Sequence, residues 1–159
     1  MSASRVRPKA VCVIRRGDSI LVGSGVDTVK GETFFGPLGG EIEFGERAAD
    51  AVVREMQEEL GVALRNLELR GVLENVFTYE GRPGHEIVFV FEADLADRTL
   101  YDRDEIDGLE SHGMHFSAKW TPLSHFAPGA RPLYPEGLYQ MLAGRSTDFN
   151  RPVGPNGGS

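Results

Sequence analysis

The 159-residue chain has a single cysteine, a single tryptophan and no long apolar run. With Cys12 alone, no internal disulfide can form. It lies within an apolar strand pattern, which favours a buried, inert thiol over a nucleophile. No segment approaches the ~18–20 apolar residues that a membrane span needs, so no membrane partner is expected. The start, Met1-Ser2-Ala3-Ser4-Arg5, lacks the apolar core of a signal peptide, and a cytoplasmic location is expected. Positive charge is also scarce: 17 Lys and Arg stand against 24 Asp and Glu, a net charge of −7. That balance argues against sequence-independent binding to a nucleic-acid backbone, so no stable nucleic-acid partner is expected. The length suits one domain with one core.

The acids that are present are concentrated. Between Glu41 and Glu59, seven acids (Glu41, Glu43, Glu46, Asp50, Glu55, Glu58, Glu59) face two arginines, leaving −5 of the chain's −7 in this one segment. It opens as a glycine loop and continues as a predicted helix over 46–60. Ala49, Val53, Met56 and Leu60 recur at offsets of four, three and four, giving one apolar stripe. Gly61 follows where a left-handed residue ends a helix. Glu55, Glu58 and Glu59 share a sector clear of that stripe, where like charges repel. A bound dication would relieve that repulsion, and hard cations beside a glycine loop usually serve phosphates.

The rest of the chain reads as strands around this helix. Residues 10–14 and 20–22 form a pair across the turn Arg16-Gly17-Asp18-Ser19, and 28–32 is a polar loop. Residues 33–35 run into the glycine loop. Residues 67–76 form a strand bent or bulged near Gly71, and 77–79 continue it towards the loop 80–84. The continuously apolar 87–91 is a buried strand. Residues 94–116 read as one long, acidic loop, and 118–121 as the last strand. Residues 135–143 read as a helix with its proline near the first position. The expected organisation is a flexible N-terminus over 1–7, one domain over 8–145 and a disordered tail over 146–159. The fold class is α/β, a mixed sheet between helices.

The segment Gly40 to Val62 resembles the Nudix hydrolase signature at every fixed position: Gly40, Glu46, Arg54, Glu55, Met56, Glu58, Glu59, Gly61 and Val62. Several flanking segments resemble a MutT-like branch of the family. They are Gly36-Pro37-Leu38-Gly39-Gly40, Glu74-Asn75-Val76-Phe77-Thr78-Tyr79, Gly84-His85-Glu86 and Leu133-Tyr134-Pro135-Glu136-Gly137-Leu138. The resemblance implies an α/β/α sandwich and a Mg²⁺-dependent hydrolase, with Mn²⁺ able to substitute, that cleaves a diphosphate linkage by water attack at phosphorus. It implies that Glu55, Glu58 and Glu59 bind metal together with the carbonyl of Gly39. Glu55 is also the general base in some members. Arg54 would orient the glutamates, and Glu46 would hold the loop against the helix. Many members recruit a further carboxylate from a loop before the last strand, which makes Glu105 and Glu110 the catalytic candidates, with Asp102 and Asp104 nearby.

The chemistry needs such groups. Water is a poor nucleophile and phosphates are anionic; magnesium lowers the pKa of bound water and neutralises developing charge. Substrate-binding candidates are Phe34, Phe77 and Tyr79, able to stack on a base, with Trp120 a weaker one, and Glu86 beside His85 at a strand mouth. Core packing is the competing reading for each aromatic. Glu43 is either an outer ligand or a solvated loop acid. The expected substrate is a small nucleoside di- or triphosphate or a related nucleoside diphosphate derivative, and a homodimer is possible. The competing function is a non-catalytic module that binds a nucleotide or senses a metabolite. Such modules often lose the acids that are intact here.

Overall fold

The computed structural model describes residues 4–110 and 112–144. The tail expected over 146–159 therefore lies outside the described residues. The strands are β1 (Arg7–Val13), β2 (Arg15–Arg16), β3 (Ser19–Asp27), β4 (Glu32–Gly36) and β5 (Leu38–Glu41). Helix α1 (Ala48–Leu60) follows, then β6 (Leu64–Tyr79), β7 (Arg82–Leu95), β8 (Glu105–Leu109), β9 (His115–Pro122) and helix α2 (Leu138–Ala143). Among the described residues no helix is long and apolar enough to cross a membrane.

Two sheets form the middle layer. The first, ordered β5-β1-β7-β6, is mixed: β1 and β7 run parallel while the other pairs are antiparallel. The second, β2-β3-β9-β8, is antiparallel, and β4 adds to β3. Alternation along the strands divides the interior into two cores. Ala10, Cys12, Ile14 and Leu21 join Ala51, Val52 and Met56 of α1. Val11, Val13, Ile20 and Val22 join Leu138 and Leu142 of α2. The two sheets thus lie between helices, an α/β/α sandwich. This explains why residues 10–14 read as an unbroken apolar run, since both faces of the strand are covered there. Burial, and then the charge of Glu92, pushes the Cys12 thiol up to about 12, which leaves it inert at neutral pH.

Several local expectations need correction. Helix α1 ends as expected, with Gly61 at φ 67° and its N–H donating to the Gln57 carbonyl at 2.9 Å. Its buried face differs, however. Ala51, Val52 and Met56 are buried, whereas Ala49 is exposed and Val53 is 45% exposed. Alanines carry little hydropathy, so the pattern could not tell which ones pack closely. The observed face is rotated towards Glu55 and Glu59, which border the core instead of opposing it.

The long loop over 94–116 is mostly ordered structure. Strand β7 runs on to Leu95, a 3₁₀ turn spans Arg98–Asp102, and β8 occupies Glu105–Leu109. β8 is an edge strand with only Ile106 and Gly108 turned inward, so its acids face water and mask its strand character. The expected bulge near Gly71 is present as a register shift between Leu69 and Gly71. Helix α2 begins later than expected, after Gly137 at φ 91°. Pro135 precedes it and accepts from the Leu138 N–H at 3.0 Å in a turn.

Candidate active site

A cleft of about 570 Å³ opens between the two sheets. Gly39 and Glu59 line it beside Lys9 and Val11 of β1. Phe34 and Phe35 of β4, Asn75, Phe77 and Tyr79 of β6, Glu86 of β7, and Tyr134 line it as well. Acids and glycines therefore share one cavity with aromatics and cations, which is the mixture a phosphorylated aromatic ligand needs.

The acids are held by the backbone beneath them. Gly39 pairs with Val11 and Gly40 with Ala10 across the β1–β5 ladder. A Cβ at Gly39 would collide with the Ala10 carbonyl oxygen, so only glycine lets the two strands approach there. A Cβ at Gly40 would lie 2.5 and 2.6 Å from the two carboxylate oxygens of Glu55. The Glu55 carboxylate thus rests on bare backbone. Replacing Gly40 by Ala should displace that flexible side chain without disrupting the fold. We expect turnover to fall by roughly tenfold or more while the melting temperature changes little, since small misplacements of a reacting group are costly. Steady-state kinetics beside a thermal melt tests this, and unchanged turnover would detach Glu55 from the chemistry.

Arg54 is the electrostatic hub. It donates from Nε and Nη2 to the two Glu46 oxygens at 2.8 and 2.9 Å. It also reaches the Glu55 carboxylate at 2.9 Å, Glu58 at 3.2 Å and the Glu41 carbonyl at 3.1 Å. Glu46 in addition accepts from the Glu43 N–H at 3.1 Å, which ties the loop to the helix. The Arg54 guanidinium, helped by that N–H, holds the Glu46 carboxyl down at about 2. Arg54 is itself held in its charged form by the same carboxylates.

Glu59 has the opposite environment. Burial, then the charge and hydrogen bond of Glu55, with a smaller push from Glu110, raise its carboxyl to about 8, while Lys9 opposes the shift. A carboxyl raised in this way is short of positive charge nearby. Among the described residues, no three carboxylate, imidazole or thiolate groups already converge as metal ligands. Glu58 is turned towards Arg54 and its side chain is 58% exposed, free to rotate.

The other candidates separate by position. Phe34, Phe77, Tyr79 and Glu86 all line the cleft. Phe34 meets Tyr79 and Tyr134 edge-on, each with ring centroids 5.8 Å apart. Trp120 does not line it: it is buried in the core and stacks on Tyr101. Glu110 lines the cleft and lies 3.1 Å from His112. Glu105 does not; it projects from β8 towards Lys119 at 3.9 Å. His85 pairs with Glu74 at 2.9 Å on the β6–β7 hairpin, outside the cleft lining. Sequence reasoning missed Arg7, Lys9, Asn75, Tyr134 and His112 as cleft residues. Asn75 and Tyr134 stand inside segments the motif comparison had marked. A polar Lys9 heading an otherwise apolar strand was the remaining signal.

A family model for the NUDIX domain matches residues 5–141. The chain belongs to the Nudix hydrolase family. Among curated relatives it is similar to the NAD-capped RNA hydrolase NudC of Pseudomonas fluorescens, at 30% identity over 115 residues, covering 72% of this chain and 39% of that protein. It is also similar to NudC of Pseudomonas aeruginosa, at 29% identity over 153 residues, covering 95% of this chain and 49% of that protein. The chain thus spans about half or less of the length of the curated relatives it matches. Its fold is shared with a MutT Nudix hydrolase from Burkholderia pseudomallei, with a TM-score of 0.63 and 24% identity, covering 88% of this chain and 98% of the other. A Nudix hydrolase from Nitrosomonas europaea gives a TM-score of 0.61 and 18% identity, covering 87% of each chain.

Proposed function

We propose that this Nudix domain is a divalent-metal-dependent pyrophosphohydrolase acting on a nucleoside di- or triphosphate or a related nucleoside diphosphate derivative. One observation carries the reading: Gly39 and Glu59 line a cleft whose other walls are aromatic and cationic, and Glu55 stands beside Glu59 against Gly40. The donor set suits a hard cation. It supplies carboxylate oxygens and leaves a Glu59 whose raised pKa marks an unmet need for positive charge. Glu55 and Glu59, with Glu58 rotated from Arg54 and the Gly39 carbonyl, would hold Mg²⁺ or Mn²⁺. The ion, when bound, supplies Lewis acidity and lowers the pKa of water. The protein's own part is to place the diphosphate. Lys9 stands in the cleft floor within electrostatic reach of Glu59 and 3.5 Å from Glu86. It can neutralise phosphate oxygens between the acidic end and the aromatic end. The intact acids favour an enzyme over a binding module.

The deciding experiment is release of phosphate or nucleoside monophosphate from a panel of nucleotides, nucleotide sugars, dinucleotides and NAD-capped RNA, with and without Mg²⁺. Capped RNA belongs there because the similar curated proteins are named for it, and the acidic charge balance addresses only extended backbone binding. Metal-dependent release from at least one member is expected, together with a higher melting temperature in Mg²⁺ plus a non-hydrolysable nucleotide. No release from any member would favour the binding module.

Of the two loop acids weighed from sequence, Glu110 lines the cleft and Glu105 does not, which supports Glu110 as the assisting acid. Glu110→Gln is therefore expected to lower kcat by roughly tenfold or more, within the range for a general acid or base, while Glu105→Gln turns over like the unaltered protein. Wild-type kcat in Glu110→Gln would leave Glu55 as the base.

A further inference from the structure

The cleft floor carries a polar pair that hydrolysis itself does not require. Asn75 and Glu86 are direct cross-strand partners on β6 and β7, and Arg7 is the partner of Glu86 on β1. All three line the cleft. Directly opposed residues in an antiparallel pair hold their Cβ atoms ~4.5–5.5 Å apart, so the Asn75 amide and the Glu86 carboxylate stand side by side.

Asn75 is buried at 4% exposure, and its orientation is determined by chemistry. The Glu136 N–H donates to the Asn75 Oδ1 at 3.2 Å. That N–H can only donate, so the amide oxygen must face it and the NH₂ group points elsewhere. Among the described residues the NH₂ has no hydrogen-bond partner, yet it is not one of the partnerless atoms sealed from solvent. The opening it reaches is the cleft. The Glu86 carboxylate is mostly buried, offers only acceptors and is bridged to Lys9 on one side. A donor and an acceptor therefore stand adjacent under an aromatic wall formed by Phe34, Tyr79 and Tyr134.

We propose that Asn75 and Glu86 read the hydrogen-bonding edge of the substrate's base, selecting bases that present a carbonyl oxygen beside a ring N–H. Guanine and uracil have that lactam edge; adenine and cytosine present an amino group beside a bare ring nitrogen. The Asn75 NH₂ donates to the carbonyl, and Glu86 accepts from the ring N–H. Guanine adds its amino group to the same carboxylate. The inference rests on the proposed nucleotide site but concerns base selection, not hydrolysis.

The test is calorimetric binding of GMP, UMP, AMP and CMP to the full chain with Mg²⁺, comparing the natural protein with Asn75→Asp. The Asp oxygen still accepts from the Glu136 N–H, while the donor towards the cleft becomes an acceptor. We expect the natural protein to bind GMP and UMP about tenfold or more tightly over AMP and CMP. Asn75→Asp should lose that margin through weaker GMP and UMP binding. If a second carboxylate beside Glu86 prevents folding, Asn75→Ala removes the donor without adding charge and carries the same comparison. Equal binding of all four, a preference for AMP or CMP, or a preference that survives in the folded variant would overturn the inference. The two readings fail separately. A lactam preference without turnover of any nucleotide removes the hydrolase and keeps the base reader; turnover without base preference does the reverse.

Discussion

Glu59→Gln is expected to cut metal-dependent turnover by ~10²-fold or more and, without divalent cation, to raise the melting temperature above neutral pH. Both effects come from one environment. Burial and the Glu55 charge hold the folded Glu59 carboxyl at about 8, above its ordinary 4.5. A carboxyl raised on folding contributes stability that is complete below about pH 4.5 and is lost as pH rises through about 8. The metal-free protein should therefore lose melting temperature across that window, at roughly 2–4 °C per kcal/mol for a chain of this size. Glutamine cannot ionise, so this part of the slope should vanish in the variant. Mg²⁺ should flatten the slope in the natural protein by stabilising the ionised form. Melts from pH 4 to 9, with and without Mg²⁺, alongside kinetics decide the matter. A folded Gln variant with full turnover would remove Glu59 from the site, and an unchanged slope would remove it as the titrating group.

The second large effect is expected from Arg54→Met, which keeps most of the side-chain volume and removes the charge. Glu46, Glu55, Glu58 and the Glu41 carbonyl would lose a shared donor at once. Turnover should fall by ~10²-fold, because Glu55 would no longer be held over Gly40, and the loop from Glu41 to Glu46 would no longer be tied to α1. The pH signature is the mirror image of that at Glu59. Glu46 is depressed from 4.5 to about 2, so its contribution is present above pH 4.5 and fades as pH falls towards 2. The natural protein should lose stability over that acid window; Arg54→Met should start lower and lose less. Acid melts resolve this from the neutral-pH effect of Glu59. A variant with natural turnover and an unaltered acid limb would reduce Arg54 to a surface ion pair.

The sequence by itself determined the acidic helix at the centre of the candidate site. Spacing alone placed Glu55, Glu58 and Glu59 on one helix sector, ended that helix at Gly61 and set two glycines before it. Those are local facts, governed by 3.6 residues per turn and by backbone sterics, and they do not depend on what packs nearby. The layering was legible from the order of elements, strands on both sides of one helix with a second helix at the end, and the resemblance of the Gly40 to Val62 segment implied the same sandwich. What the tertiary structure decided is how the helix turns and what stands opposite it. The predicted stripe through Ala49 and Val53 was rotated because close packing, not hydropathy, selects among alanines, and that rotation brings Glu59 to the edge of the core, where its carboxyl is raised. Strand β8 escaped notice because an edge strand needs only alternate apolar residues and leaves its acids in water. Glu105 and Glu110 looked alike along the chain, but β-pairing turned one towards Lys119 and left the other in the cleft. Asn75 became a cleft residue through pairing with Glu86 and a tether to Glu136, contacts across 11 and 61 positions that no local pattern encodes. Periodicity reports which groups share an element's face; only strand register and packing between distant segments decide which of those groups meet in one cavity.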